Sequence, residues 1–312
     1  MRAPTRIGRV VLPLVFALLA APASSQAAAP IVRTIAGARL TVNIGDDTSL
    51  QVWDSTVGDV ALFEPSYADA TQTGDAGTLV ALGGSVYGPD FANHPVGSYA
   101  PPVIPWTPVS ISPVTGSGTL ADPFTVVVVV DAASTGLRLT ETVTYVDGTG
   151  RFLPTFAFSN SGPAALTWQT FLAADMYLGV QYVWPILLYG APGGWAAEKL
   201  GAPTPACAPH RYYALLPAAD RYTGHVPLAM WSEIASGGLS STMDSGCSFS
   251  GIATEWADRT LGPGQMLTIG PAPVSFVNAS PFVNASIPAV SAAGLFLAFL
   301  GLALAGGLIA RT

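Results

Sequence analysis

Between Ile31 and Phe282 the apolar residues fall in short runs broken every few positions by turn formers. Little of this stretch shows the i, i+3, i+4 recurrence that an amphipathic helix needs. The chain's 33 glycines and 27 prolines act in the same direction, since both residues penalise helix interiors. The pattern predicts strands over Leu40–Ile44, Ser49–Trp53, Thr78–Leu82, Pro108–Ser112, Phe124–Val130, Leu137–Val146, Phe152–Ser159, Leu166–Phe171, Val226–Ser232, Gly251–Glu255, Met266–Ile269 and Val274–Phe276. Leu137–Val146 alternates imperfectly between apolar and polar, which gives one face to a core and one to water. Phe124–Val130 is apolar on both faces and reads as a central strand. Asp147-Gly148-Thr149-Gly150 is a hairpin signal, because Asp and Gly accept positive φ, and Asn160-Ser161-Gly162-Pro163 marks a second. Strands at this spacing without helices between them predict an all-β fold of antiparallel sheets packed face to face. It is one large sandwich or two consecutive ones, with a subdivision near Gly116-Ser117-Gly118. Residues 83–123 and 190–225, rich in Pro, Gly and aromatics, are expected to be long loops over sheet edges.

The two ends differ in kind from this body. Arg2, Arg6 and Arg9, without an acid, precede the apolar run Val10–Ala21 and a small-residue stretch, the order of a secretory signal peptide. Cleavage is expected after Ala27 (Ser25-Gln26-Ala27), with Ala23 as the alternative. Residues 292–310 carry no polar side chain and precede Arg311-Thr312. As a helix, a segment of that length spans roughly 28 Å, about one bilayer core. A core helix of that length would show a polar stripe, so the segment is expected to cross a membrane, with Arg311 on the cytoplasmic side. The expected organisation is a signal peptide over 1–27, an exported body over 28–282, a linker and sorting segment over 283–291, and the membrane helix.

Ile287-Pro288-Ala289-Val290-Ser291, the apolar segment and the terminal Arg together resemble a bacterial C-terminal sorting tail of the IPTL-CTERM kind. The resemblance implies an exosortase-type membrane transpeptidase as partner, reading Ile287, Pro288, Ala289 and Val290 and passing the body to the cell surface. An uncut membrane anchor is the alternative. The stretch from Gly116 through Phe276 resembles exported bacterial β-sandwich domains of undefined activity. The residues that carry this are Gly116-Ser117-Gly118-Thr119, Asp122-Pro123-Phe124, Thr144–Gly148, Ala174–Leu178, Glu255-Trp256 and Leu261-Gly262-Pro263-Gly264. That likeness implies a fold and no reaction.

Charge narrows the partners. The formal charge is −7 with a single lysine, Lys199, which argues against nucleic acid. Losing Arg2, Arg6, Arg9 and Arg311 with the two ends leaves eight of the 12 cations against 19 acids, near −11 for the body. Two cysteines bound for an oxidising exterior predict a Cys207–Cys247 disulfide, which would close a loop of about 40 residues.

Signals for chemistry are thin. His94, His210 and His225 sit in no metal-binding or hydrolase pattern, and no Gly-x-Ser-x-Gly elbow is present. A Ser245, His210, Asp220 triad can be drawn, as it can in any Ser-rich chain; His210, beside Arg211-Tyr212-Tyr213, reads as a loop hydrogen-bonding residue. Glycoside hydrolysis needs paired carboxyl groups, and Asp175, Asp220, Glu233, Asp244 and Glu255 form the pool. Asp175 lies among apolar residues and is expected in an Asx-type turn or an ion pair. Asp46-Asp47 and Asp244 lack the Asp-x-Asp-x-Asp-Gly calcium loop. No catalytic residue, cofactor or metal is assigned. Trp184, Trp195, Tyr212, Tyr213 and Tyr222 offer a platform for a surface glycan. Asn278-Ala279-Ser280 and Asn284-Ala285-Ser286 match the glycosylation acceptor pattern but are read as linker, since the tail resembles a bacterial one. Two functions follow: a non-enzymatic surface or extracellular-matrix protein held or sorted by its tail, or a carbohydrate-binding or carbohydrate-processing surface protein.

Overall fold

A computed structural model of the protein describes residues 31–57, 60–61, 73–91, 103–176, 195–198, 212–215, 219–242 and 250–278. The signal peptide with Ala27, the Ile287–Val290 segment, residues 292–310 and both cysteines lie outside them. No helix among the described residues is long and apolar enough to cross a membrane.

The described chain is mostly strand and forms three sheets. The first is a meander of β1 (Val32–Ala36), β2 (Leu40–Gly45), β3 (Leu50–Asp54) and β4 (Val60–Ala61). A six-stranded sheet uses β5 (Ala76–Leu82), β6 (Ser85–Gly88), β7 (Ile104–Pro105), β12 (Leu166–Met176), β15 (Arg221–His225) and β16 (Ser250–Leu261), in the order β15-β16-β12-β5-β6-β7. An eight-stranded sheet adds β8 (Thr107–Ile111), β9 (Phe124–Asp131), β10 (Leu137–Tyr145), β11 (Arg151–Asn160), β13 (Trp195–Glu198), β14 (Tyr212–Leu215), β17 (Met266–Ile269) and β18 (Val274–Asn278). Its order is β13-β14-β18-β11-β10-β9-β8, with β17 also on β11. Pairing is antiparallel except between β6 and β7.

Period-two patterning places the core between the two large sheets. On β10 the residues Leu137, Leu139, Glu141, Val143 and Tyr145 are buried, with Arg138 exposed opposite. On β9, Val126, Val128 and Val130 are fully buried while Val127 and Val129 are half-buried, so the strand is flanked on both edges but sealed fully on one face. One continuous apolar cluster joins these residues to Val80, Trp168, Leu172, Ile252 and Trp256 of the six-stranded sheet and to Leu40, Val42 and Val52 of the meander. It therefore draws on chain from both sides of Gly116. The Gly116-Ser117-Gly118 segment is a tight loop: the Ser117 amide donates to Asp122 Oδ2 at 2.8 Å, and Thr115 bridges Thr125.

The hairpin at Asp147–Gly150 joins β10 to β11 as expected, over a nine-pair register. Four expectations are corrected. Val226–Ser232 is helical: the one α-helix among the described residues, α1, spans Pro227–Ser236. Pro227, Met230, Trp231 and Ile234 are its buried residues, a three-and-four spacing that lays one face over the outer side of the six-stranded sheet against Leu79, Phe171 and Ala253. Pro starts it, and Gly237, at φ +81°, ends it with its N–H on Ile234 O. Asn160–Pro163 is not a hairpin, because β11 and β12 belong to different sheets and the turn carries the chain across the core. Within 83–123 and 190–225, the expected loops contain β6 and β7 besides the expected strand at Pro108–Ser112, which is β8, and β13, β14 and β15. Of the strands not expected, β7, β13 and β15 are the outermost strands of their sheets, too short to show a period. Finally, β12 and β16 run well past Phe171 and Glu255, to Met176 and Leu261, because they pair with each other along most of their length.

Candidate functional site

Three of the five carboxyl groups in the expected pool lie along β15, β16 and the end of α1. Asp220 immediately precedes β15, Glu255 lies on β16, and the β15–β16 ladder sets Arg221 directly opposite Glu255. Glu233 comes from the last turn of α1. The segment after the helix, 237–242, runs between them. Asp175 is the penultimate residue of β12 and lies beside Asp75, where its amide donates to Asp75 O at 2.8 Å; both residues are buried. Asp244, with Ser245, His94, His210 and Trp184, lies outside the described residues.

Glu255 is fully buried. Its Oε2 accepts the Leu239 amide at 2.7 Å, and its Oε1 stands 3.8 Å from the half-exposed Arg221 guanidinium. Burial pushes the Glu255 carboxyl above its ordinary pKa, opposed by the Leu239 amide and by Arg221. Asp220 Oδ2 accepts from the Ala257 amide and from Arg259, both at 2.9 Å. Glu233 Oε1 meets His225 Nε2 at 3.1 Å and the Ser240 hydroxyl at 2.9 Å, and its Oε2 accepts the Ser240 amide at 3.0 Å. Thr242 Oγ1 lies 3.0 Å from His225 Nε2 and 2.6 Å from Ser240 Oγ.

The arrangement is a tie-down. Glu255 and Glu233 spend oxygens on the Leu239 and Ser240 amides and so hold 237–242 against the sheet, while Asp220 ties the start of β15 to Ala257 and Arg259 of β16. Ser240 Oγ is bonded to the Glu233 carboxylate and to Thr242 Oγ1, and the hydroxyl that meets His225 Nε2 is that of Thr242.

A cleft of about 180 Å³ opens next to this seam. It lies between the β5–β6 turn (Gly83, Gly84, Ser85), the start of β12 (Thr167, Trp168, Gln169), the end of α1 (Ser236, Gly237) and Asp258. Its polar side chains are hydroxyls, one amide and one carboxylate, with no cation. Trp168 is 1% exposed, held by a 3.1 Å bond from Nε1 to Thr170 Oγ1 and by ring contact with Phe158, so it offers no face for stacking. Trp106, Trp231 and Trp256 are likewise buried. Of the expected platform residues, Tyr222 pairs with Thr254, Trp195 pairs with Leu215, and Tyr212 and Tyr213 pair with Glu198 and Ala197.

Sequence reasoning missed Glu141, fully buried in the main core. The signal was present, since Glu141 occupies the third place in the series Leu137, Leu139, Glu141, Val143, Tyr145. It also missed Gln169 and Asp258, for which no local pattern exists.

No family model and no curated protein matches the chain. Among solved structures it is similar to the Escherichia coli K12 "Putative aldose 1-epimerase", at 13% identity and TM-score 0.37, over 79% of this chain and 98% of that one. It is also similar to a GH36 alpha-galactosidase of Geobacillus stearothermophilus, at 11% identity and TM-score 0.36, over 80% of this chain. The chain spans 41% of the length of that galactosidase.

Proposed function

We propose that the protein is an exported β-sheet body, held at or sorted to the cell surface through its C-terminal tail, and that it serves there or in the extracellular matrix as a non-enzymatic component. The observation that carries this reading is the unbroken apolar stretch over 292–310 following Ile287–Val290. Such a segment is stable in lipid and not in water. The charged-then-apolar N-terminus supports export, and the commitment of Asp220, Glu233 and Glu255 to backbone and ion-pair contacts supports a structural use of the body.

Cell fractionation of the full-length protein and of a variant lacking 283–312 tests it. The full-length chain should be retained on the envelope and the variant released as a folded, soluble body. Mass spectrometry of the surface form should find peptides ending at about Ile287. Intact tail peptides there would favour the uncut anchor, while a cytosolic location for a reporter fused ahead of residue 283 would overturn the reading.

A second reading rests on the cleft, whose hydroxyl, amide and carboxylate lining without a cation suits a neutral polyhydroxylated ligand such as a saccharide unit. A glycan array read with the wild type, Asp258→Asn, Trp195→Ala and Tyr213→Ala distinguishes the sites. Binding lost with Asp258→Asn assigns the cleft, and binding lost with the aromatic variants assigns the β13–β14 edge. An array with no binding refutes the carbohydrate reading.

A further inference from the structure

Glu141 sits in the middle of β10, paired with Val128 on β9 and Phe156 on β11, and points into the layer between the two large sheets. Across that layer stands Thr78 of β5, which is the side chain close enough to act on it. Neither carboxyl oxygen of Glu141 makes a hydrogen bond of good geometry, and nor do Thr78 Oγ1 or Thr254 Oγ1. Thr78 and Thr254 flank Leu172 in register on β5 and β16, so these unmatched polar atoms share one layer of the sandwich.

Among the described residues, no charge compensates the acid. The buried, inward-facing residues of the strands around it are Val126, Val128 and Val130 on β9, Phe152, Phe156, Phe158 and Asn160 on β11, and Ala76, Thr78, Val80 and Leu82 on β5. On β12 and β16 they are Trp168, Thr170, Leu172, Ala174, Ile252, Thr254 and Trp256. None titrates. On its own strand the nearest titratable group on that face is Tyr145, whose hydroxyl accepts the Leu40 amide and donates to Thr149 O.

We propose that Glu141 makes the seam between the two large sheets proton-dependent. With its proton in place the carboxyl is neutral in the apolar layer, and loss of that proton to solvent leaves an anion that the Thr78 hydroxyl, as a donor across the seam, offsets only in part and that loosens sheet-on-sheet packing. Burial raises the Glu141 pKa to about 8, with Thr78 pulling the other way. An acid so raised keeps its proton in the folded state over a pH range in which the unfolded chain has lost it. Stability therefore falls as pH rises from the ordinary glutamate range towards 8, and levels off above that.

The test compares the full-length protein with Glu141→Gln and Thr78→Val. The wild-type unfolding constant should rise by up to about tenfold per pH unit across that window relative to Glu141→Gln, in which this dependence disappears. In wild type, an infrared carboxylic-acid C=O band should persist at pH 7, vanish on going to pH 10, and be absent from Glu141→Gln. In Thr78→Val the band should vanish at higher pH than in wild type. Superimposable pH profiles for wild type and Glu141→Gln would overturn the proposal. If Glu141→Gln does not fold, absence of the band from wild type at pH 7 overturns it equally.

Discussion

Replacing Asn160 with alanine should cost about 3 kcal/mol, because this side chain pins the point where the chain crosses from one large sheet to the other. Asn160 is the last residue of β11 and is 1% exposed. Its Nδ2 donates to Ala164 O at 2.7 Å and to Leu261 O at 3.0 Å, and its Oδ1 accepts the Gly162 amide at 2.8 Å. One amide thereby joins the end of β11, the crossing turn and the end of β16. At about 1 kcal/mol for each lost bond, three bonds give the stated cost, which corresponds to a fall of roughly 6–12 °C in Tm for a body of this size. Urea titration followed by tryptophan fluorescence measures it.

Asn160→Asp sharpens the test. A carboxylate oxygen in place of Nδ2 would face two carbonyl oxygens, so the folded state favours the protonated acid and the deficit should grow as pH rises above the ordinary aspartate range. A loss under 1 kcal/mol for the alanine variant, together with a pH-independent aspartate variant, would refute the idea that this residue holds the crossing.

Two other perturbations probe the supports. In Gly116→Ala, at φ +86°, the new Cβ would lie 2.1 Å from Pro123 O, and a loss of about 2–4 kcal/mol is expected in thermal melts. Gly83→Ala, at φ +60° with open space around it, should cost only about 1 kcal/mol, and equal losses would count against the steric argument. Glu233→Ala removes the tie from α1 to Ser240 and His225. A loss of about 1–2 kcal/mol should accompany faster hydrogen exchange at the Ser240 amide, and unchanged exchange there would show that the segment is held by other contacts.

Strands were legible where a run between turn formers either alternates, as in Leu137–Val146, or is apolar throughout, as in Phe124–Val130. Met266–Ile269 was read at its observed bounds, and Phe124–Val130 and Leu137–Val146 to within one residue. The helix Pro227–Ser236 was missed although Pro227, Met230, Trp231 and Ile234 carry its period, because Val226–Ser232 also suits a short apolar strand. Of the candidate site, the individual acids Asp220, Glu233 and Glu255 were visible as types. That Glu233 and Glu255 hold residues 237–242 while Asp220 ties β15 to β16 was not, since it depends on β15 pairing with β16 and on α1 folding back over them.

By itself the amino-acid sequence determined the class of structure, antiparallel strands separated by turns, because side-chain periodicity and turn chemistry act over a few neighbouring residues. Only the tertiary structure decided which strands share a sheet, that the Asn160 turn crosses the core, and that Glu141 lies in an apolar layer opposite Thr78. Those outcomes depend on registers between segments far apart in the chain, and burial of a single carboxyl is a property of everything packed around it.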